Sequence, residues 1–167
     1  MIKFEKFGKT DYDRFINWID SEELMVVFSA QVFNFPITHQ QLGAYVETPN
    51  RIIYKVIALK DNEIIGHAEL NNIDYKNGSA RICRVIVGDK NSRNKGYGTL
   101  IMKELIRIGF EELKLHRLDL GVYDFNKQAI KCYQKCGFEI EGLLKENVKF
   151  NTDYWSTYNM SILNHKL

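Results

Sequence analysis

Proline is scarce in this chain, with two in 167 residues. There is no Gly/Ser/Pro-rich tract, low-complexity stretch or internal repeat either. Nothing marks a linker, so the chain reads as one continuous domain over residues 1–167. Cysteine is scarce too: Cys83, Cys132 and Cys136 are an odd number at wide spacing, which argues against a disulfide framework. Cys132 and Cys136 stand four apart on one side of an expected helix. They read as small buried side chains rather than as a thiol pair or half of a metal site. A zinc site needs further ligands at suitable spacing, and none stands there, so no metal is expected. Charge of one sign is nearly balanced, with a formal net charge of +2. That excludes the basic field of a nucleic-acid or anionic-membrane binder, while a local basic patch for a phosphorylated small molecule stays open. No apolar run nears the ~20 residues of a membrane span. Met1–Phe7 carries no basic segment followed by a long apolar run, so no secretion signal is read and a cytoplasmic location is expected.

What is present is a core. Hydrophobic residues make up 45% of the chain and charged residues 26%, the balance of a soluble globular protein. Ile2–Phe7 alternates as a first strand. Thr10 with Asp13 resembles a capping box opening a helix, and Thr38 with Gln41 a second one after Pro36. Between them, residues 20–35 are apolar but irregular. Ile52–Leu59, Ile64–Asn71 and Ala80–Val87 read as an antiparallel meander, with Asn77-Gly78 as a tight hairpin turn. Met102, Leu105, Ile106, Gly109 and Leu113 then recur at helical spacing. Leu118–Val122 alternates as a strand, a helix is predicted over about Lys127–Lys135 with Gly137 as its stop, and two strands close the chain over about Glu139–Phe150 and Tyr154–Leu163. The strand–helix–strand step predicts one right-handed parallel crossover in a mixed α/β sheet of about seven strands, mostly antiparallel.

The richest segment is Arg93-Asn94-Lys95-Gly96-Tyr97-Gly98-Thr99, at the start of the amphipathic helix. A helix N-terminus presents unpaired N–H groups and about half a positive charge. Glycines let the backbone approach an anion, and Arg93 and Lys95 read as mobile positive charge. The pattern points to diphosphate binding, with a purely structural turn as the alternative. A Walker loop is excluded, since its Gly-Lys-Ser/Thr ending is absent. A dinucleotide fingerprint needs a small residue at position 101, which is Ile101, and it normally follows the first strand of a parallel array.

Arg93, Gly96 and Gly98 satisfy the Arg/Gln-x-x-Gly-x-Gly/Ala signature of the GNAT superfamily, and here the chain resembles that family. The run Ile86–Lys90 through Lys95–Thr99 looks like the branch of ribosomal-protein N-terminal acetyltransferases and spermidine acetyltransferases. Asn126, Ala129, Tyr133, Gly137 and Phe138 match its second motif. Gly142–Glu146, Tyr158–Leu163 and Phe35–Thr38 with Gln41-Leu42 fit the same branch, so the resemblance spans nearly the whole chain. Asn94 and the Ser92-Arg93 pair depart from residues common there, without removing backbone donors.

The resemblance implies a sheet splayed at its central parallel pair, with helices on both faces and acetyl-CoA in the gap. Val85, Ile86 and Val87 would pair their backbone with the pantetheine amides, as in strand addition, and an N–H near Ile86 could polarise the thioester carbonyl. Residues Asn94, Lys95, Gly96, Tyr97, Gly98 and Thr99 would hold the diphosphate with Arg93. Asn126 is an N-cap, a cofactor contact, or both. Tyr133 is either a core aromatic or the acid that protonates the departing thiolate. Neutralising an alkyl amine of pKa ~10.4 at pH 7 costs nearly ~5 kcal/mol, against ~1 kcal/mol for an α-amine near ~8. A base therefore matters most for alkyl amines, and Glu69 is the candidate, on the strand face of Ile65, His67 and Asn71. The alternative for that face is solvation. His67 is a second candidate base. Glu22, Glu23, Tyr154 and Trp155 are candidates to meet the acceptor. The expected reaction is acetyl transfer from acetyl-CoA to a primary amine: a protein N-terminus, a polyamine or a small amino compound. A non-catalytic CoA-binding module is the alternative. No nucleic acid or membrane partner is expected, and monomer and homodimer both stay open.

Overall fold

The chain opens with alternating Ile2–Lys6, strand β1, which pairs antiparallel with β2 (Ile52–Ala58) from Ile2–Ala58 to Lys6–Tyr54. The structure is a computed structural model and describes residues 1–30 and 32–165. Three helices lie between these strands: α1 (Tyr12–Trp18), α2 (Glu22–Ser29) and α3 (His39–Glu47). The helix expected from Thr10 and Asp13 begins differently. A 3₁₀ turn over Lys9–Asp11 precedes α1, and Asp11 reaches back to accept from Gly8 N at 3.0 Å. The irregular apolar stretch contains α2, capped by Ser21, whose Oγ accepts from Leu24 N at 3.2 Å. Thr38 caps α3 as expected, accepting from Gln41 N at 3.2 Å. The Gln41 amide does not close the box. It accepts from Asn34 N at 2.8 Å and donates to the carbonyls of Asn34 and Pro36, pinning the preceding loop.

The meander continues with β3 (Glu63–Asp74) and β4 (Ser79–Val87). Their link is a four-residue turn rather than a two-residue hairpin. Of Asn77 and Gly78 only Gly78 has positive φ, at 62°, because Asp74 Oδ1 already holds Asn77 N at 2.9 Å in an ordinary turn. After β4 come α4 (Tyr97–Arg107), a π-helical turn over Ile108–Glu112, β5 (Arg117–Tyr123), α5 (Lys127–Lys135), β6 (Glu139–Phe150) and β7 (Asp153–Leu163). The seven strands hydrogen-bond in the order β1-β2-β3-β4-β5-β7-β6. β4 and β5 are parallel, from Ser79–Arg117 to Ile82–Leu120, and β7 pairs antiparallel with both β5 and β6. This is the expected mixed sheet with one parallel crossover.

The chain divides into two compact units, each discontinuous in sequence: Met1–Glu69 with Arg84–Ile101, and Leu70–Cys83 with Met102–Leu167. In the first, Phe7, Phe15, Leu42, Val56 and Ile65 are core residues. Residues 65–70 of β3 are buried without interruption, so this strand is covered on both faces. In the second, Met102, Leu105, Leu118, Leu120, Phe138 and Met160 are fully buried. α5 ends with Phe138 N bonded to Tyr133 O and Gly137 N to Gln134 O, a Schellman stop at the expected glycine.

Gly66 marks a close approach within the first unit: a Cβ there would stand 2.5 Å from the Ile86 carbonyl oxygen. Backbone cannot yield as a side-chain tip can. Gly66→Ala is expected to lower the unfolding free energy by about 1–3 kcal/mol. Gly43, inside α3 with nothing within 4 Å of an added Cβ, is the control. Gly43→Ala is expected to raise stability by about 0.5–1 kcal/mol through helix propensity. Urea denaturation of both variants checks the pair, and shifts of the same sign would contradict this packing.

Candidate functional site

Within the first unit, the end of β4, residues 84–87, delivers the chain into the glycine-rich bend. Val85, Ile86 and Val87 are half-buried. Gly88 N and Asp89 N both donate to Ile65 O, at 2.9 and 3.2 Å, and close the strand end. After a 3₁₀ turn over Lys90–Ser92, Arg93 folds back. Its Nε donates to Val87 O at 3.1 Å and its Nη2 to Gly88 O at 3.3 Å. The expected mobile cation at Arg93 is therefore corrected: its guanidinium is committed to two strand-end carbonyls, and charge-assisted bonds of this kind are among the stronger ones. Lys95 is exposed and keeps its freedom. Asn94 and Gly96 turn the chain with φ of 61° and 80°. A Cβ at Gly96 would meet nothing within 4 Å, so this glycine serves backbone conformation and leaves open space above the bend. Tyr97, Gly98 and Thr99 form the first turn of α4, the helix end that carries partial positive charge. An open, donor-rich turn beside a free lysine fits a diphosphate.

In the second unit, Asn126 Oδ1 accepts from Ala129 N at 3.1 Å and caps α5. Tyr133 lies two turns on, its ring 6.3 Å from that of Phe138. Desolvation holds its phenol well above the usual tyrosine range, with Cys132, Cys83 and Cys136 adding to the effect. The three cysteines are free thiols, half-buried rather than fully buried, and burial pushes Cys136 up to about 11. Trp155 packs against Tyr123, Phe125 and Phe150, with centroids 5.2, 5.1 and 4.6 Å away, while Tyr154 is exposed. Glu22 and Glu23 are exposed in the first turn of α2, where the helix dipole favours acidic side chains.

Glu69 is neither solvated nor alone. It is fully buried, Arg84 Nη2 holds Oε1, and the Tyr45 hydroxyl donates to Oε2. Arg51 Nη1 stands 3.9 Å from Oε2. Both carboxylate oxygens are thus engaged inside a buried ionic cluster, not on the solvated face that was the alternative. His67 is also fully buried, with Nε2 3.1 Å from the Tyr45 hydroxyl. Desolvation, then the Arg84 charge, lowers its pKa to about 3, which disqualifies it as a base at neutral pH. Burial and the nearby Glu69 charge hold the Tyr45 phenol far above its normal range. The sequence reading missed Tyr45, Arg51 and Arg84. A signal did exist for Arg84: it continues the inward phase of Ala80 and Ile82 along β4.

A family model for the acetyltransferase (GNAT) family matches residues 9–138. The chain belongs to the GNAT family. Among GNAT relatives, the L-amino acid N-acetyltransferase AaaT of Escherichia coli K12 is 31% identical over 109 residues, 65% of this chain and 67% of that one. The spermidine N(1)-acetyltransferase of Vibrio cholerae is 31% identical over 111 residues, 66% of this chain and 63% of the relative. The chain thus spans about two thirds of these relatives' length. The crystal structure of Vibrio cholerae spermidine N-acetyltransferase in complex with CoA and spermine shares this GNAT fold, with a TM-score of 0.83 at 23% identity, covering 97% of this chain and 95% of that one. Among the described residues, no group of three or more His, Cys, Asp or Glu is placed to hold a metal, and no helix is long and apolar enough to cross a membrane.

His67 gives the cluster a pH signature. Its folded pKa of about 3 lies below the ordinary 6.5, so in that window the unfolded state binds the extra proton. Stability is then full above pH 6.5 and falls as pH drops, with a slope approaching ~1.4 kcal/mol per unit. Urea unfolding between pH 7.5 and 5 is expected to show this slope. His67→Gln is expected to flatten it; an unchanged slope in the variant would remove His67 as its source.

Proposed function

We propose that this chain transfers the acetyl group of acetyl-CoA to a primary amine by direct attack. The observation that carries the reading is the bend itself. Arg93 is anchored on Val87 and Gly88, and the backbone turns through positive φ at Asn94 and Gly96 into the start of α4, with open space above Gly96. Family membership supplies the cofactor. Residues 94–99 hold the diphosphate in this reading, and Val85, Ile86 and Val87 offer backbone groups to the pantetheine chain.

Acetyl-CoA supplies an activated acyl carbon. The chain's own residues orient it and manage protons. An N–H near Ile86 polarises the acyl carbonyl. The amine reaches its neutral form through water, which costs little for an α-amine near pKa ~8. Its nitrogen bonds to the acyl carbon as the C–S bond breaks. The Tyr133 hydroxyl donates a proton to the leaving sulfur and regains one from the nitrogen by way of water. Desolvation raises the pKa of the phenol and of a thiolate held beside it alike, so the transfer needs the sulfur in the same dry site. Asn126 caps α5 and so fixes the helix that carries Tyr133. Glu69 anchors the ionic cluster through Arg84 and Tyr45. Primary amines are the acceptor class; L-amino acids and spermidine are acceptors named for relatives.

Tyr133→Phe is expected to cut turnover ~10²–10⁴-fold with acetyl-CoA affinity nearly unchanged, read by thiol release and calorimetry. Near-normal turnover would remove Tyr133 from the mechanism. Gly96→Asp is expected to weaken acetyl-CoA binding at least ~10-fold, by adding like charge where the diphosphate sits. Unaltered affinity would count against the bend as the phosphate site.

A further inference from the structure

Within the first unit, the ionic cluster carries more positive than negative charge. Two guanidinium groups, Arg51 and Arg84, face one carboxylate, Glu69. His67 is neutral at pH 7 and Tyr45 keeps its proton, so neither restores the balance. Arginine cannot shed its charge to escape burial. Arg84 is bonded to Glu69. Arg51 is not: its 3.9 Å approach to Glu69 lies beyond hydrogen-bond reach, and its Nε and Nη1 are buried with no hydrogen-bond partner among the described residues. Its guanidinium carbon sits 4.8 Å from the centre of the Tyr45 ring, which braces the fork on one face. The side chain is 10% exposed, and it follows the exposed residues 48–50 on the link from α3 to β2. A nearly buried cation with unpartnered Nε–H and Nη1–H donors attracts an anion, and a carboxylate oxygen on either would supply a missing charge-assisted bond.

The place of this receptor gives it a use. Arg84 directly precedes Val85, the first residue assigned above to the pantetheine-binding strand segment. We infer that Arg51 binds the carboxylate of the acceptor, so the amine substrate is an amino acid or another carboxylate-bearing amine rather than a polyamine. The inference rests on the acetyl-transfer reading. A polyamine brings further positive charge to a cluster that already has an excess, whereas an amino acid cancels it.

The test compares L-amino acids of several side-chain types, their α-amides and spermidine as acceptors, by thiol release from acetyl-CoA. The less basic amine of an amide favours the amide, so a preference for the acid is telling. The wild type is expected to prefer the acids over their amides and over spermidine. Arg51→Gln is expected to lower kcat/KM for the acids roughly 10- to 100-fold, through KM, and to leave the amides unchanged. Arg51→Lys, which keeps the charge but not the fork, is expected to fall between. Acetyl-CoA affinity, measured by calorimetry on the same proteins, is expected to be unaffected in both variants. Wild-type preference for amides or spermidine, or equal loss for acid and amide in Arg51→Gln, overturns the assignment while acetyl transfer stands. Failure of the wild type to bind acetyl-CoA or to acetylate any amine overturns the acetyl-transfer reading, and this inference with it.

Discussion

The Arg93 side chain, bonded to the carbonyls of Val87 and Gly88, is the contact on which the functional half of this fold depends. A strand that ends must dispose of its last carbonyls, and a phosphate site needs backbone donors left unspent. One guanidinium takes the carbonyls of the strand end. The bonds from Gly88 N and Asp89 N to Ile65 O hold the same strand end from the other side. With the strand end fixed, the chain turns through positive φ at Asn94 and Gly96 into the start of α4.

The second constraint is charge burial. β3 is covered on both faces, so any ionisable residue in its middle must find partners inside the protein. Glu69 does so through Arg84 and Tyr45, and His67 does so by staying neutral. Arg51 keeps a buried Nε and Nη1 without a hydrogen-bonding partner among the described residues, a shortage that a bound carboxylate would relieve.

Much of this was legible from residue order. The meander, the parallel crossover, α5 with its stop at Gly137 and the bend at residues 93–99 follow from periodicity and turn chemistry, which act over a few residues. What escaped was set by partners distant in the chain. The helix α2 hid because Leu24, Met25, Val26, Val27 and Phe28 form a solid apolar run without helical alternation, and only Ser21 marks its start. Glu69 looked like a solvated or catalytic carboxylate because alternation cannot tell a strand with one wet face from one with none. Its partners Tyr45 and Arg51 lie 24 and 18 positions away in sequence, one on α3 and one at the entry to β2. Arg93 read as a free charge because nothing in its neighbourhood announces the carbonyls it answers.

The account stands on the backbone amides of the bend, and a titration of the isotope-labelled protein with CoA observes them directly. The amide resonances of residues 94–99 are expected to shift on CoA addition, together with those of Val85, Ile86 and Val87. Saturable binding of CoA that leaves the resonances of 94–99 in place would contradict the account, because the diphosphate would then be held elsewhere.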